Sequence, residues 1–157
     1  MSSATTSNAK YTWERNGRKE KFNSVKDAVR RILRVNEDAR NSDTVLEHTF
    51  WTDVQGLDLN NRDDFMKKAN SSTISRSRRR IQNDENLHFP TEPKQLFKRI
   101  SNGDFSFDDV VEHYKIKKPR VIEKYVGYIE NRVKSGEMTE EEAEEHLGLD
   151  VDLDTEE

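Results

Sequence analysis

At 157 residues, with 31% hydrophobic and 37% charged side chains, the chain has the size of one domain with appendages and the material for only a small core, which suits short helices better than a wide sheet. It holds no cysteine, which excludes disulfides, thiolate zinc sites and cysteine nucleophiles. The net charge of −4 conceals an asymmetry: from Glu137 onward there are eleven acidic residues and no Lys or Arg, so the rest of the chain carries 20 acidic against 27 basic residues, a net of +7. A basic body with an acidic tail is a pattern of nucleic-acid proteins.

No apolar run approaches the roughly 20 residues needed to cross a bilayer. The start, M-S-S-A-T-T-S-N-A, has no charged region followed by an apolar one, unlike a secretory signal. Residues 1–10 are expected to be a disordered lead and the protein to be cytoplasmic. From Tyr11 to Phe22 the sequence reads Y-T-W-E-R-N-G-R-K-E-K-F, and Asn16-Gly17 suits a two-residue hairpin turn. That register pairs Arg15 with Arg18, Trp13 with Glu20 and Tyr11 with Phe22. Ser24 then opens a helix whose apolar stripe is Val25, Ala28, Val29, Ile32 and Leu33. Ser42 or Asp43 caps a second helix carrying Val45, Leu46, Phe50, Trp51 and Val54, with Gly56 as its stop. Asn61 starts a third, short helix, R-D-D-F-M-K-K-A, and Asn70, Ser71 and Ser72 break it and offer caps for the next one.

The next stretch, N-S-S-T-I-S-R-S-R-R-R-I-Q-N (70–83), packs four arginines into five residues between two isoleucines seven apart. With Thr73 to Asn83 on a helical wheel at about 100° per residue, Ile74, Ser77 and Ile81 form a thin apolar seam. Ser72, Arg76, Arg79, Asn83 and, slightly off, Arg80 fall opposite, and Arg78 lies near the boundary, where its stem can cover apolar surface. Arginine suits nucleic acid because its planar fork matches phosphate oxygens or the O6/N7 edge of guanine and never loses its charge. The plain alternative is an exposed helix whose arginines are solvated or paired with Asp63, Asp64 and Glu85.

Beyond it, D-E-N-L-H-F-P-T-E-P reads as an extended connector or a small wing. A helix from about Glu92 to Ser101 follows, with Leu96, Phe97 and Ile100 on one face. Ser106 and Asp109 make a capping box, and Phe105 can staple onto Val110. A long helix from Pro119 to about Ser135 aligns Ile122, Tyr125, Val126, Ile129 and Val133. Thr139 and Glu142 form a second capping box for a last helix to about Leu147. Lys115, Lys117, Lys118, Arg120 and Lys124 gather at the turn before the long helix, where free N–H groups add to the positive field. The plain alternative there is a helical hairpin that supports the core or a dimer.

The segment A-N-S-S-T-I-S-R (69–76) resembles the turn and recognition-helix start of bacterial helix-turn-helix repressors. The resemblance implies that Ala69 packs in the turn, Ser71 or Ser72 caps, Thr73 contacts phosphate or base, Ile74 packs inward, and Ser75 and Arg76 face DNA. Lys67 and Asp63 stand where those repressors bury apolar residues. The longer S-R-S-R-R-R-I-Q-N run is similar to small uncharacterised proteins of phages and mobile elements with an S-R-x-R-R-x-I-Q-N motif. Residues V-G-Y-I-E-N-R-V-K-S-G-E-M-T-E-E-E-A-E-E resemble a short C-terminal helical motif associated with oligomerisation, which implies a homodimer through the C-terminal helices.

No catalytic constellation emerges. His48, His88, His113 and His146 are scattered, and neither a phosphate-binding loop nor a G-x-S-x-G elbow occurs. The expectation is therefore a non-enzyme without cofactor or metal. Its fold is mostly α: a small N-terminal β-hairpin, then a bundle of about seven short helices containing a helix-turn-helix at 61–83. The hairpin and helical domain would span 11–103, a C-terminal helical subdomain 104–148, and an acidic tail 149–157. The expected partner is double-stranded DNA, met by Ser72, Thr73, Ser75, Arg76, Arg78, Arg79, Arg80 and Asn83, with Lys117, Lys118, Arg120 and Lys124 in support. The tail would compete electrostatically for the arginine face or simply keep the body in solution. The other function class is a helical adaptor in a phage assembly or packaging complex, which an exposed patch with Phe50, Trp51 or Tyr128 would favour.

Overall fold

The computed structural model describes residues 10–148, so most of the expected lead and the whole acidic tail at 149–157 lie outside the described residues. The chain forms two compact units that divide between Glu85 and Asn86.

In the first unit, strands β1 (Tyr11–Arg15) and β2 (Arg18–Phe22) pair antiparallel in the expected register, Tyr11 opposite Phe22, Trp13 opposite Glu20 and Arg15 opposite Arg18. Asn16 and Gly17 take φ of 52° and 80°, left-handed values that Asn-Gly tolerates. The like-charged pair beside the turn is eased because Arg15 lies over the Trp13 ring, 5.1 Å from its centroid. Lys10 already belongs to the ribbon, since its N–H donates to the Phe22 carbonyl. Trp13 is buried, and Tyr11 meets Phe50 edge to face at 5.3 Å, so the ribbon lies on the helices. Arg31 holds Glu20 with two bonds, at 2.8 and 2.9 Å.

Helix α1 (Val25–Val35), capped by Ser24, buries Ala28, Val29, Ile32 and Leu33. Helix α2 (Glu37–Asn41) was not expected; five residues are too few to show a period, and the Asn36 side chain, accepting from the Ala39 N–H, starts it. Helix α3 (Asp43–Thr49), capped by Ser42, runs into a wider π-type turn (Phe50–Val54). Helix α4 (Arg62–Met66) is capped by Asn61 and buries nothing. Helix α5 (Ser71–Asn83) packs mainly on α1 and α3. It begins two residues before Thr73, and its cap is Asn70, whose side chain accepts from the Ser72 N–H; Ser71 and Ser72 are therefore helical and not capping residues.

The second unit holds α6 (Pro93–Ser101), α7 (Phe107–Tyr114), α8 (Pro119–Lys134) and α9 (Glu140–Leu147). Both expected capping boxes are present, Ser106 with Asp109 and Thr139 with Glu142. Its core joins Phe89, Leu96, Phe105, Phe107, Val110, Tyr114, Val121, Tyr125, Ile129 and Leu147. The expected boundary after residue 103 thus moves to 85/86: Leu96 of α6 and Phe89 of the connector bury their apolar surface in this core, not in the first. Among the described residues the helices number nine, above the expected seven.

Candidate nucleic-acid interface

The geometry of α5 follows from the donors its neighbours require. The last carbonyls of any helix lack intrahelical partners, and α1 and α2 end within seven residues of each other. The Arg40 guanidinium donates to the Leu33 carbonyl at 2.6 Å and to that of Arg34 at 3.1 Å. The Arg40 carbonyl in turn accepts from Arg78 at 2.6 Å and from the Gln82 side chain at 3.1 Å. Arg78 also bonds Asp43 at 2.8 Å and is 6% exposed. It is a structural residue, and its expected place on the DNA-facing surface is corrected: the charge is used up closing α2 and α3. The buried face of α5 is accordingly wider than the Ile74, Ser77, Ile81 seam and includes Arg78 and Gln82.

The opposite face is free of such bonds. Ser72, Thr73, Arg76, Arg79 and Arg80 are exposed and Ser75 half-buried. The guanidinium groups of Arg76, Arg79 and Arg80 have no ion-pair or hydrogen-bond partner among the described residues. Of the acids suggested as their partners, Glu85 and Asp64 are engaged elsewhere and Asp63 is exposed. Glu85 takes Arg30 and Lys26, the Arg30 bonds first in holding its carboxyl below the usual glutamate range. Asp64 accepts the Asp58 N–H at 2.9 Å. Asn83, at the last position of α5, is half-buried and has an interaction within the protein.

The start of α5 is fixed from below. The Trp51 indole N–H donates to the Ala69 carbonyl at 3.0 Å, and the Gln55 amide both accepts from the Ala69 N–H at 2.8 Å and donates to the Lys67 carbonyl at 3.1 Å. Ala69 packs on the core, and the Ser71 hydroxyl donates to Glu47 at 2.6 Å. Lys67 and Asp63 are both exposed. Sequence periodicity missed this clamp, since polar contacts between the π-type turn and a loop carry no period.

The other candidate cations belong to the second unit. Lys117, Arg120 and Lys124 are exposed and Lys118 half-buried; Lys118 occupies the N-cap of α8 without a side-chain cap bond. Ile116, among them, is 82% exposed. The aromatic residues named for an adaptor surface lie inward: Phe50 is fully buried, and Trp51 and Tyr128 are half-buried. His88 and His113, distant in sequence, meet: the His88 backbone N–H donates to His113 Nε2 at 3.2 Å, pinning the connector to α7. Tyr125 and His146 join α8 to α9 by a hydrogen bond. No group of three or more His, Asp or Glu able to hold a metal occurs among the described residues, and no described helix is long and apolar enough to cross a membrane. No family model, curated protein or solved structure matches the chain.

Proposed function

We propose that the protein binds duplex DNA through the outer face of α5, with α4 and α5 acting as a helix-turn-helix of phage or mobile-element type. The observation that supports this is the sorting of the arginines. Arg30, Arg31, Arg40, Arg78 and Arg99 each satisfy an internal carboxylate or carbonyl, whereas Arg76, Arg79 and Arg80 share one exposed face of a rigid, capped helix. Three unneutralised guanidinium groups on one face repel one another, a cost that a phosphate backbone relieves. Thr73, Ser72 and Ser75, in the first turns, supply hydroxyls for phosphate or base edges. Lys117, Lys118, Arg120 and Lys124 add sequence-independent phosphate contacts from the second unit.

Titration of a fluorescent duplex at several salt concentrations tests the reading. Wild type is expected to bind with affinity that falls steeply as salt rises. An Arg76→Ala/Arg79→Ala variant is expected to bind more weakly, with a log–log slope shallower by about two, roughly one for each phosphate that is no longer neutralised. Identical slopes for the two proteins, or no binding by wild type, would reject the interface.

A further inference from the structure

Among the described residues, four large apolar side chains stand exposed, and two of them are neighbours, Phe65 at 49% and Met66 at 75%. Their helix, α4, buries no residue, so it is not held in place by a core of its own. It is held by polar bonds instead. Asn61 caps it, the Asp64 carboxylate accepts the Asp58 N–H, and the Gln55 and Trp51 clamp fixes the chain just beyond it. The Lys68 ammonium sits 3.6 Å from the Phe65 ring centroid and 4.4 Å from that of Trp51, which sets the Phe65 ring. An apolar pair displayed on an immobilised backbone is arranged for contact, because leaving it in water gains nothing for the fold.

Position and charge name the occupant. Five Cα steps separate Met66 from Ser71, the first residue of α5, a reach of at most about 17 Å. At about 3.4 Å per base step that is about five steps of duplex, so DNA lying on the start of α5 passes within reach of Met66. Arg62 and Lys67, both exposed, flank the pair and suit phosphates; Asp63 is the exposed acid beside them. Phe and Met are also among the side chains that enter base steps as wedges. We infer that Phe65 and Met66 form an apolar wedge that enters the minor groove beside the α5 contact and partly unstacks a flexible pyrimidine–purine step, bending the duplex. This rests on the α5 reading and adds a deformation to it.

The test uses the full chain and a mixed-sequence duplex with TA and CA steps, 2-aminopurine at one such step, and a donor–acceptor pair on the ends. Wild type is expected to raise 2-aminopurine emission several-fold and to shorten the end-to-end distance. A Phe65→Ser/Met66→Gln variant, altered only at exposed positions, is expected to keep the salt slope and lose most of both signals. Salt-dependent binding with no unstacking, or with equal unstacking in the two proteins, overturns the wedge and leaves the α5 contact standing. Absence of salt-dependent binding by wild type overturns both. Where unstacking is equal in the two proteins, sedimentation adds the assignment: self-association lost in the variant, with DNA deformation unchanged, assigns the patch to a second copy of the chain and overturns the wedge.

Discussion

Arg76, Arg78, Arg79 and Arg80 lie within five residues of one helix, yet their surroundings differ completely. Arg78 is enclosed and bonded to Asp43 and to the Arg40 carbonyl; its neighbours face outward. Truncating Arg78 to Ala leaves a carbonyl at the end of α2 with Gln82 as its remaining donor and Asp43 without its partner. We expect a loss of about 2–3 kcal/mol, below the range of about 3–5 for breaking a fully buried pair because Asp43 is 34% exposed. Arg79→Ala is expected to stay within about 0.5 kcal/mol, as for an exposed helical site. Urea unfolding followed by tryptophan emission compares them directly, since Trp13 and Trp51 both lie in the unit that holds α5. Equal effects would mean that the arginines are not divided as described. The wheel predicted Ile74, Ser77 and Ile81 inside correctly, and it placed Arg76 and Arg79 outside correctly. It set Arg78 at the boundary and not inside because period measures hydrophobicity, whereas Arg78 is buried to donate hydrogen bonds.

At the scale of the element, α5 depends on what happens at its first turn. Its N-terminal N–H groups need acceptors, and Asn70 supplies one. Asn70→Ala is expected to cost about 1 kcal/mol and Asn70→Ser to restore most of it. Amide exchange should show the loss first at Ser72, whose N–H the Asn70 side chain accepts, and then at Ile74, bonded to the Asn70 carbonyl, in the turn that carries Ser72 and Thr73 to the proposed DNA. Protection unchanged at these amides would show that the clamp from Trp51 and Gln55 holds the turn alone. The capping boxes at Ser106 and Thr139, the Asn61 cap and the Asn-Gly hairpin were all legible because each is a short-range bond with a fixed spacing. Helix α2 was not, since a five-residue helix makes no stripe.

At the scale of the molecule the two units are expected to answer acid differently. In the second, burial, then the Arg132 charge, holds the His146 imidazole below its ordinary pKa. The folded state therefore resists a proton that the unfolded chain accepts, so stability is lost as pH falls below the ordinary histidine value of about 6.5. In the first unit the bonds from Arg31 and Arg30 keep the Glu20 and Glu85 carboxyls below their usual range. Stability there is present above the ordinary glutamate value of about 4.3 and is lost as pH falls through the lowered ones. Chemical denaturation at about pH 7.5 and 5.5 should then lower the transition of the second unit, read by tyrosine-sensitive near-ultraviolet dichroism, and leave the tryptophan transition of the first unmoved. His146→Gln is expected to remove the change. A tryptophan transition that moves equally would show that the acid response is not confined to the second unit.

What the sequence by itself determined were the features set by neighbours in the chain: a hairpin register fixed by a two-residue turn, helix starts marked by capping side chains, and the apolar seam of α5. These interactions span a few residues, so spacing encodes them. Tertiary structure decided which core α6 joins, which arginines are enclosed and which stay free, and that Phe65 and Met66 remain outside. Each of these depends on which donor or apolar surface another element leaves unsatisfied. The Arg40 carbonyl that draws Arg78 inward is 38 residues away in the chain. No local pattern in the sequence records that demand.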